Sequence, residues 1–140
     1  MEYISTRGEA PALGFSDALL AGLARDGGLY VPREWPQFSS RDIRAMRGQS
    51  YQEIAFRIIS RFVDGEIADE ALRAMIEEAY ATFRHPAVAP LVQSGPNSFV
   101  LELFHGPTLA FKDVALQLLG LLFEEFLARA ESRLTIVGAT

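Results

Sequence analysis

The sequence predicts an α/β fold, and three observations carry that expectation. Two amphipathic helical patterns occupy the middle of the chain. After them the pattern changes to apolar strand, loop, apolar helix and apolar strand between positions 99 and 137. The third is composition: at 140 residues and 49% hydrophobic, the chain can bury a core, and its length suits about one domain.

The elements are expected in this order. Tyr3-Ile4-Ser5-Thr6 reads as a short strand, followed by a Gly/Pro stretch from Gly8 to Gly14. Ser16 is an expected N-cap for a short helix through about Leu23, with Leu19, Leu20 and Leu23 as its apolar positions. Asp26-Gly27-Gly28 is a turn signal, and Leu29-Tyr30-Val31 a brief extended segment stopped by Pro32. Ser50 and Glu53 have capping-box spacing, in which each side chain satisfies a backbone N–H of the other. Behind them Tyr51, Ile54, Ala55, Ile58, Ile59 and Phe62 share one helical face, and Gly65 is a natural C-cap. A second helix follows Asp69, with its stripe on Leu72, Met75, Ile76, Ala79, Tyr80 and Phe83, and the two form an antiparallel hairpin.

Pro86 and Pro90 close this part, which puts a domain boundary near residue 86: residues 1–85 as a mainly helical domain and 86–140 as a second unit. Phe99–Phe104 has the aromatic and branched composition of a buried strand. Residues 105–112 form a loop, and Asp113 can cap a helix to about Ala130 that is apolar nearly all round, as a buried helix would be. Leu134–Val137 completes a βαβ unit with parallel strands and a right-handed crossover. One such unit does not make a stable parallel sheet, and Gly138-Ala139-Thr140 has the character of a strand-to-helix glycine turn that continues. The expectation is the N-terminal fragment of a larger enzyme.

Several function classes are excluded or disfavoured. There is no run of 18 apolar residues, so no membrane span is expected, and the start of the chain lacks the basic and apolar regions of a secretory signal. A net charge of −5 argues against a general nucleic-acid partner. Absence of cysteine removes disulfides and thiolate chemistry, and His85 and His105 alone give no metal signature. A cytoplasmic protein is expected. Neither a phosphate-binding P-loop nor a dinucleotide glycine fingerprint occurs.

One residue stands out. Of 13 basic residues 12 are arginine, and the single lysine is Lys112. A high-G+C codon preference accounts for the scarcity of lysine but not for the survivor's place in an apolar loop. Ligands of open parallel sheets bind beyond the carboxyl ends of strands, where this loop is expected. A lysine amine, unlike a guanidinium, can lose its proton, attack an aldehyde and later shuttle protons. From position alone, Lys112 is equally an exposed surface lysine. His105 either contacts a ligand or shapes the Gly106-Pro107 turn, and His85 is read as structural. Glu102, inside an apolar segment, is expected to be a paired structural carboxylate. Ser5-Thr6-Arg7-Gly8 is a polar cluster that could touch a phosphate, with a turn bearing a solvated arginine as the preferred reading.

The segment Leu101-Glu102-Leu103-Phe104-His105-Gly106-Pro107-Thr108-Leu109-Ala110-Phe111-Lys112-Asp113 resembles the cofactor-lysine segment of the threonine synthase family. Tyr3–Gly8 and Asp26–Pro32 are similar to that family's opening motifs in its bacterial and fungal branch, and the resemblance runs from Tyr3 to Thr140. It implies a small N-terminal domain followed by the start of a tryptophan-synthase-β-like (fold type II) domain that uses pyridoxal 5'-phosphate. The implied reaction is a carbon–oxygen lyase step that turns O-phospho-L-homoserine and water into L-threonine and phosphate. By the same resemblance Lys112 forms the Schiff base with the cofactor and moves protons, while His105, Thr108 and Thr140 touch substrate. Phe111 and Asp113 take packing and helix-capping roles. Relatives continue past Thr140 with Ser-Gly-Asp-Thr-Gly and bring the cofactor-phosphate loop later. The implied partner is therefore the remainder of the parent chain, and these 140 residues alone are expected to be inactive. Two other readings stay open: another lyase or β-replacement enzyme of the same cofactor fold, and a helical interaction module without cofactor.

Overall fold

The computed structural model describes residues 1–137. Strand β1 (Tyr3–Ser5) pairs antiparallel with β2 (Tyr30–Pro32) in the register Tyr3↔Pro32, Ile4↔Val31 and Ser5↔Tyr30. Pro32 is the last residue of the strand rather than the one beyond it, which a residue lacking an N–H can be at the margin of a two-stranded sheet. Helix α1 (Phe15–Ala21) starts one residue before the expected Ser16 cap. Gly14 holds the N-cap position, and the acceptor for the first N–H groups comes from far away: the Glu66 carboxylate takes Phe15 N–H at 2.6 Å and Ser16 N–H at 2.9 Å. A negative group at a helix N-terminus is favoured by the helix dipole. Gly22, at φ 65°, then ends α1, and Leu23 leaves the helix to bridge Leu29.

A short helix α2 (Ser40–Ala45) lacks a strong apolar stripe, but Ser39 and Asp42 form the full reciprocal capping box that was expected at Ser50. At Ser50 only half of it forms. The Ser50 hydroxyl accepts from Glu53 N–H at the head of α3 (Tyr51–Val63), while the Glu53 carboxylate accepts instead from Arg73 at 2.7 Å. The end of α3 is shared by Asp64 and Gly65, both left-handed at φ 50° and 81°. Helix α4 (Asp69–Ala81) packs back on α3 as an antiparallel partner, burying Leu72, Ile76, Ala79 and Tyr80.

The largest departure lies in the second half. Leu91–Gly95 is a strand, β3, that pairs antiparallel with β4 (Ser98–Leu101) as a hairpin. The expected buried strand 99–104 thus ends at Leu101, is exposed, and takes its partner from the residues just upstream. An apolar run does not encode which strand it joins, and a partner a few residues away closes the shortest loop. Leu134–Val137 forms no strand, so the parallel βαβ unit is not formed among the described residues. The Gly138-Ala139-Thr140 turn lies outside them.

Helix α5 (Asp113–Arg129) is as long as expected but is not buried all round. Leu118, Leu122 and Phe126, spaced four apart, face the core, while Leu116 is exposed. This stripe completes one cluster with Ala55 and Val63 of α3, Ile67, Leu72 and Ile76 around α4, and Val88. The Tyr80 hydroxyl donates to the Val114 carbonyl at 2.9 Å, and Arg129 donates to the Glu66 carbonyl at 2.7 Å. Both ends of α5 are thereby fixed to the helical layer, which determines where its first residues point.

Candidate functional site

The loop joining β4 to α5 contains the residues singled out by sequence. Its entry is fixed by His105, whose carbonyl accepts from Arg84 N–H at 2.9 Å and whose Nε2 lies 2.7 Å from Glu102 Oε2. Glu102 is therefore the paired carboxylate that was expected. A carboxylate only accepts, so Nε2 carries the hydrogen in this contact. The His85 ring lies 5.2 Å from that of His105, tilted by 45°, and its own Nδ1 accepts from Ala87 N–H at 3.1 Å, a turn-shaping role.

The middle of the loop is held by Asp113. This side chain is 97% buried, with 3% of its surface exposed, yet it does not cap the helix N–H groups as expected. Lys112 occupies the N-cap position, and Asp113 is the first helical residue. Its carboxylate reaches back to Thr108, accepting the main-chain N–H at 2.8 Å and a shared hydroxyl hydrogen at 2.8 and 2.9 Å, with Gln117 Nε2 at 3.4 Å. These bonds compensate an otherwise costly buried charge. Two backbone features accompany the clasp. Gly106 is buried, and a Cβ there would lie 2.4 Å from Asp113 Cβ. Leu109 is left-handed at φ 65°, a conformation that costs a side-chain-bearing residue about 1–2 kcal/mol.

Asp113 turns inward, and so the residues before it turn outward. Lys112 is exposed, and among the described residues its amine has neither an ion pair nor a hydrogen bond. In the same loop Phe104, Leu109 and Phe111 are each more than half exposed. An exposed primary amine on a loop that also exposes aromatic and aliphatic side chains is chemically suited to an aldehyde, which it attaches with loss of water. Of the sequence-selected residues, Lys112, Thr108 and His105 therefore share one loop, and Thr140 lies outside the described residues. Sequence reasoning missed the part of Gly106 and the reach of Asp113 to Thr108. The signal was present as a Gly-Pro-Thr turn with an acid five residues after the threonine.

The other polar cluster is a turn. Ser5 Oγ donates to Asp26 Oδ1 at 2.7 Å, Glu9 and Ala10 N–H both donate to Oδ2 at 3.0 Å, and Arg7 donates to the Asp26 carbonyl at 2.8 Å. The Ser5 hydroxyl foremost, then the N–H groups of Gly28, Glu9 and Ala10, lower the Asp26 carboxyl to about 2 despite its desolvation. Its donors are thus turned inward, which fits the turn reading rather than a phosphate cradle. Among the described residues there is no cluster of metal-ligating side chains and no helix long and apolar enough to cross a membrane.

Comparison with known proteins identifies the family. The family model described as "Threonine synthase N terminus" matches residues 2–80. Threonine synthase of Pseudomonas aeruginosa is 58% identical over the whole chain, which covers 30% of that protein. Threonine synthase of Schizosaccharomyces pombe is 47% identical, again over the whole chain and 29% of the relative. The crystal structure of pyridoxal-phosphate-bound threonine synthase from Brucella melitensis superposes with a TM-score of 0.92 at 62% identity, over 95% of this chain and 29% of that one. The chain thus spans about 30% of the length of the curated relatives it matches. It belongs to the threonine synthase family, whose N-terminal portion it matches.

Proposed function

We propose that this chain is the N-terminal portion of a threonine synthase, a lyase that converts O-phospho-L-homoserine and water into L-threonine and phosphate. In that reading Lys112 holds pyridoxal 5'-phosphate covalently through Nζ. The observation that carries it is the single lysine of the sequence, at the head of α5 with an exposed amine, in a chain 62% identical to a threonine synthase crystallised with that cofactor. Bound pyridoxal phosphate supplies an electron sink beside the substrate's carbon acids.

The chain's own residues do the rest. Lys112 Nζ, when not attached to cofactor, accepts and returns protons at the substrate's α and β carbons. His105 and Thr108, whose hydroxyl oxygen retains acceptor capacity, are the substrate-side groups of the same loop. Thr140 joins them on the strength of the family resemblance alone. Phe104, Leu109 and Phe111, exposed on the same loop, are apolar groups that can exclude water there once the loop is covered.

The division into residues 1–85 and 86–140 is part of this proposal, supported by the family match to 2–80 and the change of pattern after Pro86. The large apolar side chains exposed from position 91 onward (Leu91, Val92, Phe99, Val100 and Leu101) are the surface expected to meet the remainder of a longer chain, the start of the fold type II domain. That longer chain, acting in the cytoplasm, is where activity is expected. The 140 residues alone are expected to release no phosphate.

The test uses the longer chain with cofactor fully supplied. Borohydride reduction, digestion and mass analysis should find a pyridoxyl adduct on the Lys112 peptide, and Lys112→Ala should abolish both adduct and activity. No adduct at Lys112 overturns the cofactor assignment and favours an interaction module. An adduct with turnover of phosphoserine or serine, but not O-phosphohomoserine, makes it a different lyase or β-replacement enzyme.

A further inference from the structure

We propose that Asp113 is a positioning residue: its buried carboxylate clasps Thr108 and so sets where Lys112 presents its amine. This rests on the reading of Lys112 as the cofactor lysine. The clasp is local and over-determined. Asp113 is the one charged side chain among the buried residues described, and no cation is bonded to it among them. Its buried charge would be costly if the carboxylate were only filling space, and the left-handed Leu109 and the close approach of Gly106 accompany it in the same loop. The charge is compensated where Thr108 N–H and Oγ–H both point at Asp113. Successive helical residues differ in direction by about 100°, so fixing the first residue inward also fixes the direction of its neighbour. Asp113 points inward, and Lys112 is the neighbour that turns outward. Thr108→Asp113 therefore ties the loop across the head of α5, with Lys112 on its free side. The carboxylate acts through the loop and touches no reacting atom.

The experiment is done on the longer holoenzyme, with Thr108→Val, Thr108→Ser and Asp113→Asn compared to the parent. The resting absorption band of bound pyridoxal phosphate, recorded without substrate, is the readout that a substrate contact at Thr108 would leave untouched. The clasp predicts that Thr108→Val shifts or broadens this band and lowers kcat about tenfold. Thr108→Ser, which keeps both donors, should restore band and kcat. Asp113→Asn should follow Thr108→Val, since one acceptor oxygen becomes a donor facing donors. A parent-like resting spectrum and kcat in Thr108→Val overturns the proposal even when the adduct at Lys112 is present. Absence of the adduct in the unmutated protein overturns the cofactor reading itself, and the two failures are thereby separated.

Discussion

Gly106→Ala tests how tightly the loop is built. The backbone of Gly106 is outside the left-handed region, so alanine is allowed there by conformation and the effect is purely steric. The added Cβ would lie 2.4 Å from Asp113 Cβ, 2.5 Å from its Oδ2 and 2.8 Å from its Cγ. Carbon atoms in ordinary contact sit about 3.5–4.0 Å apart, so the two segments must separate by roughly 1 Å. The nearest atom is a Cβ fixed to the first turn of α5, not the end of a flexible side chain, so the loop must move. Overpacking of this size costs about 1–3 kcal/mol. A displacement of roughly 1 Å at a reacting group can cost about 100-fold in rate. The expected result is a longer chain that still folds, with its thermal midpoint lowered and its phosphate release from O-phosphohomoserine reduced by one to two orders of magnitude, about 10–100-fold. Gly120→Ala is the control, because a Cβ there meets nothing within 4 Å and alanine favours the helix. Parent-like turnover and midpoint in Gly106→Ala would refute the reasoning, because the close approach of Asp113 would then place no constraint on the loop.

Two further predictions concern the scaffold. Tyr80→Phe removes the hydroxyl that bonds the Val114 carbonyl across α4 and α5 without changing volume, so unfolding should become easier by about 1 kcal/mol, read from the urea midpoint; an unchanged midpoint would mean that this bond contributes nothing net. Asp26 is held at about 2, against its ordinary 3.8, chiefly by the Ser5 hydroxyl. A lowered folded-state value means that the ionised carboxylate stabilises the fold fully above the ordinary value. That contribution is lost as pH falls through the interval from 3.8 to about 2. Asp26→Asn should therefore be less stable at neutral pH and lose less stability over that acid interval. Parallel pH profiles for the two proteins would count against the turn being held by this charge.

What was legible in the sequence followed physical periodicity and local chemistry. The stripe Leu72, Ile76, Ala79 and Tyr80 repeats with the helical period, and a helix with that face buried is what forms. Ser50 capped its helix, because an N-cap needs only a hydroxyl and an N–H three residues on. Lys112 was singled out by being the one lysine, and the segment around it carried the family resemblance. Glu102, charged inside an apolar run, was rightly expected to have a partner, although composition did not say that the partner was His105.

Tertiary structure decided matters that depend on residues distant in sequence or on direction in space. The N-terminus of α1 takes its acceptor from Glu66, about fifty positions away, so a local cap search stopped at Ser16. Phe99–Leu101 was recognisably extended, but apolar composition is blind to partner and to hand, and only the backbone register pairs it with Leu91–Gln93 in a hairpin. Helix α5 reads as apolar on every side, and only packing against α4 decides that Leu118, Leu122 and Phe126 are the face that is covered. That same packing fixes the roll of α5 about its axis. Sequence by itself determined that a lone amine sits at the head of this helix. The roll of the helix and the reach of Asp113 to Thr108 determined that the amine faces outward, because side-chain direction follows from how elements pack and not from composition.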